Sequence, residues 1–95
     1  MAAYVIVQVR ITDPKKNEVY RGQVPATLAK FGGEFIVRGG TLEVLEGAWA
    51  HPRCVVIRFP DVKSAKAWYA SPKYAGPKAL RQASADTNMI LVEGV

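Results

Sequence analysis

Hydrophobic and polar positions alternate strictly from Tyr4 to Ile11. Val5, Val7, Val9 and Ile11 share one face; Tyr4, Ile6, Gln8 and Arg10 share the other. A period of two with β-branched residues predicts a strand with one apolar face. Thr12-Asp13-Pro14 follows as a helix start, in which a side-chain oxygen caps free N–H groups and proline occupies the first helical position. The period then lengthens. Tyr20, Val24, Leu28 and Phe31 fall on one stripe, so a helix is predicted to about Phe31, kinked at Pro25 and stopped by Gly32-Gly33.

Glu34 to Arg38 predicts a second strand. Gly39-Gly40 bends it, and Thr41 to Glu46 is expected to resume it. Gly47 to Pro52 reads as a hairpin loop, and Arg53 to Phe59 as a third strand. Asp61 is the expected cap of a helix whose face carries Val62, Ala65, Trp68 and Tyr69. Ser71-Pro72 restarts that helix at a new angle, and Asn88 to Glu93 closes the chain as a fourth strand. Gly33 and Gly39 are the positions expected to need positive φ.

The order β-α-β-β-α-β, with right-handed crossovers, predicts one α+β domain over residues 1–95. It is ferredoxin-like: a four-stranded antiparallel sheet with the helices on one face. The helix-facing side should carry Val5, Val7, Val9, Phe35, Val37, Val55, Ile57 and Phe59. The other side should carry Tyr4, Ile6, Gln8, Arg10, Ile36, Arg38, Val56, Arg58 and Ile90. That second side is too apolar for water and too polar for a dry core. A second copy packed across it explains both properties, so a homodimer is expected; the alternative is an open face with arginine stems lying over the aliphatic residues.

Composition narrows the chemistry. Hydrophobic residues make up 49% of the 95-residue chain, enough for a packed core, and no apolar run is long enough for a membrane helix. With no basic leader at the N-terminus, a soluble cytoplasmic protein is expected. The net charge of +5 is scattered, with no cluster beyond Lys15-Lys16. The third strand lacks the Gly-aromatic-Gly-Phe pattern of RNA-binding sheets, so no nucleic-acid partner is expected. Cys54 stands alone in an apolar run, as a buried reduced thiol would. One histidine and no HxH or CxxC pattern argue against a metal, and no phosphate-binding fingerprint implies a cofactor.

Polar and aromatic residues near strand ends remain. Arg38 precedes the glycine bend, and Glu46 ends the apolar segment after it. Trp49 and His51 lie in the next loop, Tyr20 on the first helix, and Trp68, Tyr69, Tyr74 and Arg81 on the broken second helix. Arg38 and Glu46 form either an ion pair or a ligand-facing pair; Trp68 and Tyr69 serve either the core or a ligand wall. His51 has a side chain suited to proton transfer but nothing near it in sequence to orient it.

Several motifs occur together: Tyr-x-x-x-x-Pro at 20–25, Phe-Gly-Gly at 31–33, Val-Arg-Gly-Gly at 37–40, Leu-Glu-Gly at 45–47 and Phe-Pro at 59–60. Ala-x-x-Trp-Tyr-x-Ser-x-x-Tyr at 65–74 and Arg81 complete the set. In these the chain resembles an uncharacterised bacterial family, domain of unknown function 1330. The resemblance covers nearly the whole chain and implies a dimeric α+β barrel. Arg38, Glu46, Trp68, Tyr69, Tyr74 and Arg81 match the family pattern; His51 has no place in it. That superfamily holds cofactor-free monooxygenases, isomerases, stress-responsive dimers and ligand domains of regulators, so the fold leaves open whether this chain is an enzyme.

The leading expectation is a homodimer that binds a small apolar or aromatic metabolite, anionic in one version. Arg38 and Arg81 would meet the ligand, with Trp68, Tyr69 and Tyr74 as walls. Glu46, His51 and Tyr20 are weak candidates for proton transfer. The alternative is a non-catalytic structural or partner-binding dimer. A cavity of about a few hundred Å³ reached by Arg38 or Arg81 would favour the first, and a barrel filled by its own side chains the second.

Overall fold

The computed structural model describes residues 1–95. The elements are β1 (Ala3–Ile11), α1 (Pro14–Leu28, continued by a 3₁₀ turn over Ala29–Phe31), β2 (Glu34–Arg38), β3 (Arg53–Phe59), α2 (Val62–Tyr69), α3 (Pro72–Ser84) and β4 (Ala85–Glu93). The caps form as their chemistry requires. Asp13 accepts from the Lys16 backbone N–H, Asp61 from Ser64 and Ser71 from Tyr74, so each helix start has a side-chain acceptor for an otherwise free donor.

The strands form one sheet in the order β2-β3-β1-β4, antiparallel at every pairing. This is the ferredoxin-like α+β arrangement expected from the element order. The helices cover one side, and the molecule is a slab of 33 × 31 × 17 Å, one helical layer on one sheet. The core lies between the layers: Val5, Val7, Val9 and Ile57 of the sheet, Val24 and Leu28 of α1, and Ala65 and Trp68 of α2. Trp68 is 0% exposed. Its ring lies 5.4 Å from Phe59 and 4.1 Å from Tyr74, and its indole N–H donates to Thr27 Oγ1 at 3.0 Å. Thr27 in turn donates to the carbonyl of Val24 at 2.7 Å, so the one polar atom of the indole is satisfied inside an apolar core.

Four expectations need correction. Thr41–Glu46 does not resume the second strand. Residues 39–52 form an irregular loop, with Leu45 87% exposed, because no neighbouring strand offers this segment backbone partners. The glycine bend acts differently as well. A bulge between Phe35 and Val37 shifts the register, so Val37 pairs with Val56 and Arg38 with Val55. One extra residue exchanges the two faces: Val37 leaves the helix side and Arg38 joins it. The left-handed glycine of the first stop is Gly32 (φ 70°), not Gly33; Gly33 is needed because a Cβ there would lie 2.8 Å from the Phe59 ring. Gly39 is left-handed as expected (φ 75°), and the Arg53 guanidinium fills the space where its side chain would be. Cys54 pairs with Gln8 on the open side and is only partly buried, so it is no core thiol.

The open side carries one apolar row. Val37, Val56, Ile6 and Ile90 stand side by side across all four strands. Polar pairs flank it: Asn88 donates to Gln8 at 3.3 Å, and Arg58 meets Glu34 at 3.4 Å. Ile90 is 55% exposed.

Candidate functional site

Beneath the helices, at the end of the sheet where β2 stops, the packing opens into a cavity of about 40 Å³. Two rows of the covered face form its floor: Arg38, Val55, Val7 and Met89, then Arg53 and Val9. Asn17, Tyr20, Arg21 and Val24 approach from α1, Trp68 from α2 and Arg81 from α3. Four arginines thus line one cavity, and no aspartate or glutamate does.

Arg81 is the unusual member. It is 5% exposed. Its Nη1 donates to Thr87 Oγ1 at 3.3 Å and approaches Met89 Sδ at 4.0 Å, both neutral acceptors, while Nε is buried without a partner. A buried guanidinium facing only neutral acceptors is costly, and natural structures pair such charges with an anion. The other three are less buried: Arg21 and Arg53 partly so, Arg38 exposed. Arg21 donates to Asn17 Oδ1 at 3.0 Å, and Asn17 donates to Ser84 Oγ at 3.2 Å, which ties α1 to α3. Arg53 is partly buried; burial, and then the neighbouring Arg21 and Arg38 cations, hold its pKa below the ordinary arginine value. Arg38 is exposed at the mouth. It donates to the backbone carbonyl of Arg21 at 2.6 Å and lies 4.2 Å over the Phe35 ring.

Tyr20 completes the set. Its hydroxyl lies 3.0 Å from that of Tyr74. Burial raises its pKa above 10.0, against the smaller opposing effects of the Tyr74 hydrogen bond and the Arg81 and Arg38 cations. Burial, and then Tyr20, push Tyr74 up further. Both phenols are therefore neutral at physiological pH, each able to donate one hydrogen bond.

The sequence candidates separate. Arg38, Arg81, Tyr20 and Trp68 meet at the cavity. Tyr74 is fully buried behind Trp68 and Tyr20 and is no part of the wall. Tyr69 faces a different, more open groove with Val5, Ala65 and Met89, its ring 4.4 Å from the Lys78 ammonium. Glu46 is exposed in the loop and makes no ion pair with Arg38. His51 lies with Arg10 and Trp49 in another surface groove, its Nδ1 buried without a partner. Sequence reasoning missed Asn17, Arg21 and Arg53. Arg53 shares strand parity with Val55, Ile57 and Phe59, and Asn17, Arg21, Val24 and Leu28 follow helical spacing, so both signals were present.

The family model described as "Domain of unknown function (DUF1330)" matches residues 2–95. No curated protein matches the chain. Solved structures share the fold at low identity. A protein of unknown function from Rhodopseudomonas palustris superposes with a TM-score of 0.81 at 16% identity, covering 99% of this chain and 82% of that one. A dimeric ferredoxin-like protein of unknown function from Jannaschia sp. CCS1 gives 0.80 at 13% identity, covering 99% and 100%. A cofactor-independent oxygenase from Streptomyces nogalater gives 0.68 at 13% identity, covering 99% and 93%.

Proposed function

The chain belongs to the domain of unknown function 1330 family, and on that footing we propose that it is a homodimeric barrel subunit whose helix–sheet cavity binds the anionic group of a small metabolite. The observation that carries this reading is Arg81, 95% removed from solvent with an unpartnered Nε and no carboxylate at hand. An anion entering there would receive donors already held in place, so little ordering cost accompanies binding. The size of the cavity limits what enters. About 40 Å³ exceeds the ~10–15 Å³ that one water requires and is far below the ~300 Å³ of sites that enclose a drug-sized molecule. A carboxylate fits; an aromatic body would stay at the mouth, against Phe35 and Arg38. The reading stops at binding, because Glu46 and His51 lie outside the cavity and Tyr20 is hydrogen-bonded to Tyr74.

The exposed apolar row on the open side, and the dimeric neighbour from Jannaschia, support the homodimer. The small cavity also favours a second reading, a structural dimer whose barrel is filled by its own side chains. Thermal melts with small carboxylates separate the two. At one hundred times Kd an anion should stabilise the wild type by about 2.7 kcal/mol. Arg81→Met should respond to none, yet melt no lower than the empty wild type, because it removes an uncompensated buried charge. A wild type unmoved by every anion, beside a badly destabilised Arg81→Met, would sink the binding reading.

A further inference from the structure

The charges around the cavity are divided into two groups. Arg81 reaches Thr87 and Met89 on β4, the edge strand on one side. Arg38 and Arg53 rise from β2 and β3, on the other side. Val7 and Val9 of β1 lie between, in the same rows as Arg38 and Met89 and as Arg53 and Thr87. The backbones of Arg53 and Thr87 are therefore two strand spacings apart, roughly 10 Å. The two groups also differ in exposure. Arg81 is enclosed, whereas Arg38 is open to solvent and Arg53 and Arg21 are partly so.

One negative charge cannot satisfy both groups. A monocarboxylate held by Arg81 leaves Arg21, Arg38 and Arg53 close enough to depress the Arg53 guanidinium, with no acidic residue among them. A compact dianion such as phosphate puts both charges at one end and leaves the other end bare. An anion with a charge at each end and a short hydrocarbon between would answer all three features: the buried cation, the cations at the mouth and the valine strip. Resting on the anion-binding reading above, we infer that the natural ligand belongs to the class of short dicarboxylates, one carboxylate on Arg81 and the other on Arg38 and Arg53. Arg38 has donors to spare for this, since its one protein hydrogen bond uses only Nη2. Tyr20 lines the same cavity as Arg81 and Arg38, and with Tyr74 as the donor between the two hydroxyls its own proton is free for either carboxylate.

Calorimetric titration of the wild type with a matched series tests this: malonate, succinate and glutarate against acetate and butyrate, with phosphate and sulfate as compact dianions. A dicarboxylate should bind at least about tenfold more tightly than the best monocarboxylate, and more tightly than either oxoanion, a difference of about 1.4 kcal/mol. Arg38→Gln and Arg53→Gln, at the exposed and half-exposed positions, should cut that preference to about threefold or less. Rescue of the preference by Arg38→Lys would show that charge at the mouth is what matters. Equal affinity for mono- and dicarboxylates overturns the two-ended ligand and leaves the anion site standing. Phosphate or sulfate binding best overturns it in favour of a compact dianion. No binding by any member overturns both this inference and the reading beneath it.

Discussion

The two faces of the sheet invert the usual placement of charge and hydrocarbon. The covered face encloses Arg81 and gathers three more arginines around it without an acid. The open face leaves Ile6, Val56, Val37 and Ile90 in a row toward solvent and balances its charge locally, Arg58 against Glu34. Neither arrangement is explained by the stability of one chain. A buried cation is unfavourable without its anion, and an exposed aliphatic row is unfavourable without a cover. Under the proposed function each face has a partner of its own: the covered one a small anion, the open one a second surface.

The largest single effect should come from the covered face. Trp68→Ala removes a fully buried indole and the N–H that Thr27 Oγ1 accepts from, so the melt should report a loss of about 3–5 kcal/mol. On the open face, where the proposed dimer would form, Ile6→Arg should halve the mass measured by sedimentation at micromolar concentration while the monomer keeps its circular dichroism. An unchanged dimer would show that association uses another surface. Between the faces stands the turn at Gly39, directly after the bulged strand that carries Arg38 to the covered side. Gly39→Val forces a β-branched residue into left-handed backbone and against the Arg53 guanidinium, and should cost more than about 1 kcal/mol.

The buried phenols predict a pH dependence confined to the covered face. Tyr20 and Tyr74 have folded pKa values raised above the unfolded 10.0, chiefly by burial. The unfolded chain therefore loses these protons first. Their contribution is complete below pH 10 and is lost as pH rises from there through the folded values. Tyr74→Phe should flatten the fall in melting temperature between about pH 9 and 11, one unit on either side of the ordinary tyrosine pKa. The smallest effect belongs to the open face. Glu34→Gln breaks a pair in which both side chains are about half exposed, and should change stability by less than about 0.5 kcal/mol. A larger loss would mean that the pair is covered in the assembled protein.

Much of the fold was legible because its signals are local. The alternation of Val5, Val7 and Val9 selects a strand face by geometry alone. Asp13, Asp61 and Ser71 cap their helices through bonds to residues three positions on. Part of the site was legible for the same reason. Arg38 and Arg81 stood out as polar groups near element ends and Tyr20 as a polar aromatic on the first helix, and all three reach the cavity. Tyr69 and Tyr74 did not separate from Trp68 by spacing, since three aromatics on two short helices can each face the core or a wall. Which ones do depends on the angle between those helices.

The chain's own periodicities were enough to set the order of elements, the helix caps and the apolar sides of β1 and β3, because each depends on residues within a turn or a strand of one another. Three features were settled by packing. The bulge at Phe35–Val37 depends on how β2 meets β3, and one residue of slip exchanged Val37 for Arg38 on the covered face. The segment Thr41–Glu46 has the pattern of a strand but no neighbour to supply its hydrogen bonds, and a strand needs both. The four-arginine cavity joins residues from β2, β3, α1 and α3. No local pattern encodes that convergence, because like charges brought together at long range leave no periodicity behind and are held by the apolar core that forms around them.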